Sequence, residues 1–132
     1  MKAALIAVIV AIAPGSLFAA PPMGVFRTEA NEDGRYLLVT MAPCGGDALQ
    51  ACGVIEGAYE PDGSRIDAFE DAGKPIVWDM RESSPGKFEG GKIWRPTDDR
   101  TFNSRMTDNG DTLAVSGCVA VFCSSQTWIR VN

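Results

Sequence analysis

Four cysteines are the residues of this sequence best suited to covalent or metal chemistry, and they fall in two tight pairs. Cys44 lies close to Cys52, and Cys118 lies close to Cys123. With no histidine in the chain, a zinc site would need all four thiolates, and these spacings fit zinc knuckles poorly. Four cysteines allow three pairings, and short loops close readily, so we expect two local disulfides, Cys44–Cys52 and Cys118–Cys123. Redox and metal-binding roles are the alternatives.

Paired carboxylates offer a second possible chemistry, acid–base hydrolysis. Asp98 with Asp99 and Asp108 with Asp111 are candidate pairs. They lie in turn-like segments, where aspartate is favoured because its side chain bonds to the nearby backbone. Histidine is absent, and cysteines in disulfides are not nucleophiles. We therefore expect no catalytic residue, no metal and no cofactor, and keep a carboxylate-based hydrolase as a third hypothesis.

The first 20 residues have the pattern of an export signal. Lys2 precedes an apolar stretch at 3–13, and small residues end the segment at Ala19 and Ala20. A bilayer takes about 20 apolar residues to span, so a retained anchor is the less favoured alternative. With the paired cysteines, this pattern predicts a signal peptide at 1–20, a single domain at 21–132, and a periplasmic or secreted protein without a membrane span after signal removal.

Residues 21–132 are acidic, with 11 basic and 17 acidic side chains. This balance disfavours nucleic acid and anionic membrane surfaces as partners. The charge is also uneven, because residues 21–82 carry a net charge of −7 and residues 83–132 a net charge of +1. A solvated surface that is acidic by chance is the simplest explanation.

Turn-forming residues recur about every ten positions and separate short segments rich in branched or aromatic residues. The spacing predicts strands near 24–29, 35–41, 53–59, 65–70, 75–81, 88–95, 101–107, 112–118 and 124–131. Phe102 and Met106 alternate with Asn103 and Arg105, the pattern of a strand with one buried face. The sequence thus predicts an all-β antiparallel meander of about eight or nine strands, closed into a barrel or folded as a sandwich. Any functional site must be positioned by these strands and the turns between them.

Several motifs resemble a known family. The segments CGVI at 52–55, GGKIWRP at 90–96, TF at 101–102, GC at 117–118 and CSSQTWIR at 123–130 resemble the exported bacterial domain-of-unknown-function family 2147. The resemblance covers residues 24–130. It implies a small up-and-down β-barrel, calycin-like or lipocalin-like, but no function. In such barrels an aromatic residue of the first strand packs on an arginine of the last, and Phe26 and Arg130 are the matching, barrel-closing positions.

Aromatic residues provide the first indication of a binding function. Barrel mouths are common ligand sites, and the candidate residues that would line such a site are Trp78, Trp94, Trp128 and Phe102. An eight-stranded barrel is just wide enough for its own side chains to fill, so a packed core is the alternative. We expect a non-enzymatic barrel that binds a small apolar or amphipathic ligand.

A short apolar segment provides the second indication. If the flanking cysteines are bonded to each other, Val119, Ala120, Val121 and Phe122 form a turn between two strands. Turn tips are normally polar, so an exposed apolar tip would be a docking surface for an envelope protein. The alternative is that the turn folds over the end of the barrel. An envelope interaction module that uses this loop is the second functional hypothesis.

Overall fold

The computed structural model describes residues 21–132, so the predicted signal peptide at 1–20 lies outside the described residues. Eight antiparallel strands follow one another in chain order around a closed barrel. They are β1 (Gly24–Arg27), β2 (Tyr36–Cys44), β3 (Asp47–Tyr59), β4 (Pro75–Ser84), β5 (Lys87–Arg95), β6 (Arg100–Asp108), β7 (Thr112–Val119) and β8 (Phe122–Arg130). The predicted fold class, an all-β up-and-down barrel, is confirmed. None of the described residues belongs to a helix that is long and apolar enough to cross a membrane.

Strand β6 shows why the alternating sequence folds as a barrel wall. Ser104 and Met106 are buried, whereas Asn103 and Arg105 between them are exposed. This is the two-residue period of a strand with one face on the core. The inward Ser104 is polar, but its hydroxyl donates a hydrogen bond of 2.7 Å to the carbonyl of Ser116 on β7. Its burial therefore leaves no unsatisfied hydroxyl.

The prediction of a strand at 65–70 is wrong, because this segment forms a loop between β3 and β4. Its one ladder contact is an isolated bridge between Tyr59 and Arg65. Ala68 has a φ of 54°, a left-handed conformation that interrupts an extended chain. Ile66 and Phe69 are both half-buried although they stand three residues apart, which a regular strand would place on opposite faces.

The two ends of the barrel are defined by the connections between strands. The loops 28–35, 60–74, 96–99 and 120–121 lie at one end, which we call the open end. The hairpin turns of β2–β3, β4–β5 and β6–β7 lie at the other end, the closed end, together with the β1–β8 closure. Large side chains fill the closed half of the barrel and exclude solvent from it; they include Phe26, Met41, Met80, Phe88 and Met106.

Candidate functional site

A cavity of about 810 Å³ lies inside the open half of the barrel. Its wall is mainly apolar and includes Leu37, Ala58, Ile76, Ile93 and Val115, and the loop residues Ile66 and Phe69 complete it. Cavities of roughly 300 to 1,000 Å³ lined by apolar side chains are typical of small-molecule sites. The site is therefore large enough for one small organic ligand.

The cavity exists because the inward side chains of β7 and β8 become smaller toward the open end. Leu113 pairs with Trp128 next to the packed core, and Gly117 pairs with Ser124 nearer the mouth, just below the last pair of the two strands, Val119 with Phe122. Between them, Val115 pairs with Gln126. From Trp128 up to Ser124, each of these steps removes side-chain volume from the interior, below the turn 119–122. The sequence of these two strands thus creates the space.

Trp128 forms the boundary between the packed core and the cavity. It lines the cavity, yet only 1% of its surface is exposed. The indole Nε1 donates a hydrogen bond of 3.0 Å to Oε1 of Gln126, two residues along the same strand. Buried indoles need such a partner, and this bond holds the ring and the amide in fixed positions. The floor of the cavity is therefore an indole whose N–H is satisfied within the protein.

Trp94 and Phe102 also line the cavity, nearer its mouth. The indole Nε1 of Trp94 donates a hydrogen bond of 2.8 Å to Oδ1 of Asp99 in the β5–β6 turn. Two guanidinium groups lie close to the ring of Phe102, with Cζ of Arg95 4.8 Å and Cζ of Arg100 5.2 Å from its centroid. These contacts fix the orientation of both rings at the rim.

Trp78 lies outside the cavity, contrary to the prediction from the sequence. Strict alternation along β4 would place it on the same face as Met80. Asp79 between them has a φ of 58°, and the ladder with β3 shifts register here, so that Val77 and Met80 are both buried. Trp78 pairs with the exposed Lys92 and is half-buried on the outer face. An irregularity of this kind inverts the facing of a strand.

Gln126 and Ser124 line the cavity but were not among the predicted site residues. They provide amide and hydroxyl groups on an otherwise apolar wall. Both have even residue numbers on β8, like Trp128, so the two-residue period of that strand predicts that they share its inward face. Ile66 and Phe69 gave no comparable signal, because the loop that carries them has no regular period.

The apolar turn 119–122 projects at the mouth of the cavity. Val121 is 85% exposed and Phe122 is 79% exposed, so the turn does not fold over the barrel end. Ala120 has a φ of 54°, a conformation that favours glycine in two-residue hairpin turns. The Cys118–Cys123 disulfide joins the two strands directly beside the turn, with a Cα–Cα distance of 4.1 Å. The crosslink thus restrains an exposed apolar tip.

The second disulfide lies at the closed end, where Cys44 is bonded to Cys52 with a Cα–Cα distance of 5.0 Å. A carboxylate oxygen of Asp79 lies within 4.8 Å of both sulfur atoms. Three ligand atoms at this spacing would suit a metal ion, but sulfurs bonded to each other are not thiolates and do not bind one. In this oxidised state the cluster is a structural crosslink.

Arg130 and Phe26 seal the closed end where the last strand meets the first. Cζ of Arg130 lies 4.6 Å from the centroid of the Phe26 ring. Nε of Arg130 donates a hydrogen bond of 2.9 Å to the carbonyl of Gly110, and its Nη1 donates to the carbonyl of Met23. The guanidinium therefore links three separate segments, and Phe26 beneath it has no exposed surface.

The sequence pattern of a bacterial family, described as "Uncharacterized protein conserved in bacteria (DUF2147)", matches residues 24–130. The match covers nearly all of the described chain. The chain belongs to this family. No curated protein shows a significant match.

One solved structure that resembles this family member is protein HP1028 from the human pathogen Helicobacter pylori, described as belonging to the lipocalin family. The two share 17% sequence identity, with a TM-score of 0.59, over 87% of this chain and 84% of that chain. The similarity shows a lipocalin-like fold. The two disulfides of this family member indicate an oxidising, extracytoplasmic environment.

Three of the four candidate turn carboxylates, Asp98, Asp99 and Asp108, accept hydrogen bonds from nearby groups. Asp98 accepts two hydrogen bonds from the guanidinium of Arg95, at 2.7 and 2.6 Å, and this contact lowers the pKa of Asp98 below its ordinary value. Asp108 at the closed end accepts a hydrogen bond from the backbone N–H of Gly110 at 2.9 Å. Asp98 and Asp108 therefore act as turn residues at opposite ends of the barrel.

Acidic residues surround the mouth of the cavity. The connections 28–35 and 60–74 hold eight acidic and three basic residues, a net charge of −5. Two of the three basic side chains are paired with acids, Arg35 with Glu60 at 3.1 Å and Lys74 with Asp71 at 2.8 Å, and the third, Arg65, donates a hydrogen bond of 3.0 Å to the carbonyl of Glu56. The hydrogen bond to Asp71 and the nearby negative charges raise the pKa of Lys74 above its ordinary value. The mouth therefore favours positive charge.

Proposed function

We propose that the protein binds one small apolar or amphipathic molecule in the cavity at the open end and releases it unchanged, in the periplasm or outside the cell. The observation that carries this proposal is a cavity of about 810 Å³ in a barrel whose other end is packed solid. A barrel of eight strands either fills with side chains or holds one small ligand. In this barrel, side chains fill the closed half, and the open half has the space for one small ligand.

The lining of the cavity suggests how the ligand lies. Its apolar part would contact Ile76, Ile93 and Val115 above the indole of Trp128. Burial of apolar surface drives such binding at roughly 25 cal/mol per Å². A hydrogen-bond acceptor on the ligand, such as a hydroxyl oxygen, would accept from the amide N–H of Gln126, since the amide oxygen already accepts from the indole.

A neutral dye tests this proposal. N-phenyl-1-naphthylamine, which fluoresces strongly in apolar surroundings, should bind saturably with a stoichiometry near one. Ser124→Trp would fill the upper cavity and should weaken binding at least tenfold. Ser125→Trp is the matched control, because this substitution adds the same side chain one position along β8. Ser125 is exposed and is not part of the cavity lining. Equal binding by both variants would mean that the dye binds elsewhere.

A second candidate function is supported by the exposed apolar turn. Val121 and Phe122 are mostly exposed, and apolar side chains at a turn tip favour contact with another protein. A photo-crosslinking residue at position 121 should give a discrete adduct with an envelope protein in living cells. Leu49, an exposed apolar residue of β3 toward the closed end, is the control position and should give none. Identical adduct patterns at both positions would argue against this function.

A further inference from the structure

We infer that the ligand is a cationic amphiphile, an apolar chain or ring system that carries an ammonium or guanidinium group. This inference rests on the proposed function, because it names the chemical class that the same cavity would take. It is carried by the charge distribution of the barrel and by the aromatic rings at the mouth.

The negative charge of the protein is concentrated where a ligand enters. The described residues 21–132 carry 17 acidic and 11 basic side chains, a net charge of −6. The two connections 28–35 and 60–74 at the open end account for −5 of this. The remaining surface, including the whole closed end, is nearly neutral. A cavity mouth that carries a net charge attracts ligands of the opposite charge and raises their local concentration.

Aromatic rings at the open end also face cations, all of them from the chain itself. Cζ of Arg27 lies 3.9 Å from the centroid of the Tyr36 ring, and Nζ of Lys74 lies 5.6 Å from that of Trp94. The negative faces of aromatic rings attract such groups. Tyr36 and Trp94 both line the cavity, so rings that already attract cationic groups stand at its rim. The acidic side chains and the aromatic rings at the mouth thus both favour a positively charged group on the ligand.

An anionic ligand would find no comparable partner at the mouth. The arginines that line the cavity are Arg35 and Arg95, and each is held by an acid of the protein, Glu60 and Asp98 respectively. A carboxylate or sulfate group would have to displace these acids and lie within the field of the remaining ones. The arginines therefore offer little to an anion.

Glu29 is the residue best placed to contact the cationic group. It is the one carboxylate among the described residues that line the cavity. Its Oε2 accepts a hydrogen bond from the backbone N–H of Thr127 on β8, which fixes the side chain across the gap between β1 and β8. A cation bound beside it would lie near the hydroxyl oxygen of Ser124, which also lines the cavity.

Calorimetric titration with three ligands of equal chain length tests the inference. Octyltrimethylammonium, 1-octanol and octyl sulfate present the same tail with a positive, a neutral and a negative group. At 20 mM salt the cation should bind at least tenfold more tightly than the alcohol, and the anion most weakly. At 0.5 M salt the difference between cation and alcohol should shrink several-fold, because salt screens exposed charges.

The outcomes separate the two proposals. Equal affinity for all three ligands, or tightest binding of the sulfate, would overturn the cationic class and leave the cavity as an apolar site. Absence of binding by all three would overturn the proposed function as well. Glu29→Gln should lower the ratio of cation to alcohol affinity several-fold and keep the bond to Thr127. Glu89→Gln, the same charge change at an exposed position of β5, should leave the ratio unaltered, and an equal effect of both would contradict a localised cation site.

Discussion

The closed and open ends of the barrel are built from the same strands, yet they are filled in opposite ways. At the closed end Phe26, Met80 and Phe88 pack together with almost no exposed surface. At the open end Ile93 and Phe102 are only half-buried and line a cavity. Side-chain size along β7 and β8 contributes to the difference, because the inward pairs shrink from Leu113 with Trp128 to Gly117 with Ser124 while the backbone pairing continues. One end therefore provides stability, and the other is left free to bind.

Truncating one phenylalanine at each end tests this division most strongly. Phe26→Ala should lower the free energy of unfolding by about 3–5 kcal/mol, because it opens a void in packed core beneath Arg130. Phe102→Ala should cost about 1–2 kcal/mol, since its ring already borders a cavity. Urea unfolding followed by circular dichroism measures both. Equal losses would show that the open end is also part of the stabilising core.

Removing the disulfides one at a time sharpens the comparison. Each disulfide is removed by a double substitution to serine, at Cys44 and Cys52 or at Cys118 and Cys123. Each removal should lower the free energy of unfolding by roughly 2–3 kcal/mol, because each disulfide closes a short loop. Ligand affinity should fall only when the Cys118–Cys123 bond, at the mouth, is removed. A comparable fall in affinity after removal of the closed-end bond would mean that the two ends are mechanically coupled.

Glu82 is the exception within the closed half. Both of its carboxylate oxygens are shielded from solvent and have no hydrogen-bond partner among the described residues. It pairs with the buried Phe88, so its side chain lies on the inner face. Glu82→Leu should therefore raise the free energy of unfolding by about 1–3 kcal/mol, whereas Glu82→Gln, which keeps a polar group, should gain less. Loss of stability in the leucine variant would show that the carboxylate has a stabilising contact.

The smallest effect on stability is expected at the apolar turn of the open end. Replacing Val121 and Phe122 together by serine should change the free energy of unfolding by less than about 0.5 kcal/mol, because both side chains are mostly exposed. The thermal midpoint of the double variant measures this. A loss above about 2 kcal/mol would mean that the turn is part of the core, and it would remove the support for a docking function.

The sequence predicted regular strands well and irregular ones poorly. The alternation in β6 gave the correct inward residues, Phe102 and Met106, because that strand has no interruption. The facing of Trp78 was wrong, because the left-handed Asp79 beside it leaves no pattern in the sequence. A two-residue period tells which side chains point inward only where the ladder stays in register.

The cavity itself could not be predicted, although its residues were partly named. Trp94, Trp128 and Phe102 were expected to line it, and the structure places them there. Whether inward side chains fill a barrel depends on the sum of their volumes across all strands and loops. The contribution of the loop 60–74, which carries Ile66 and Phe69, follows from a fold that local patterns do not specify.

The central claim is that ligand binds inside the open end while the closed end stays unchanged. Backbone amide chemical shifts, recorded by NMR during a titration with 1-octanol, test it most directly. We expect saturable shifts at cavity-lining residues such as Leu37, Ile93 and Gln126, and none at Met41 or Met106 in the closed half. Shifts confined to the outer surface, or an absence of saturable shifts, would contradict it.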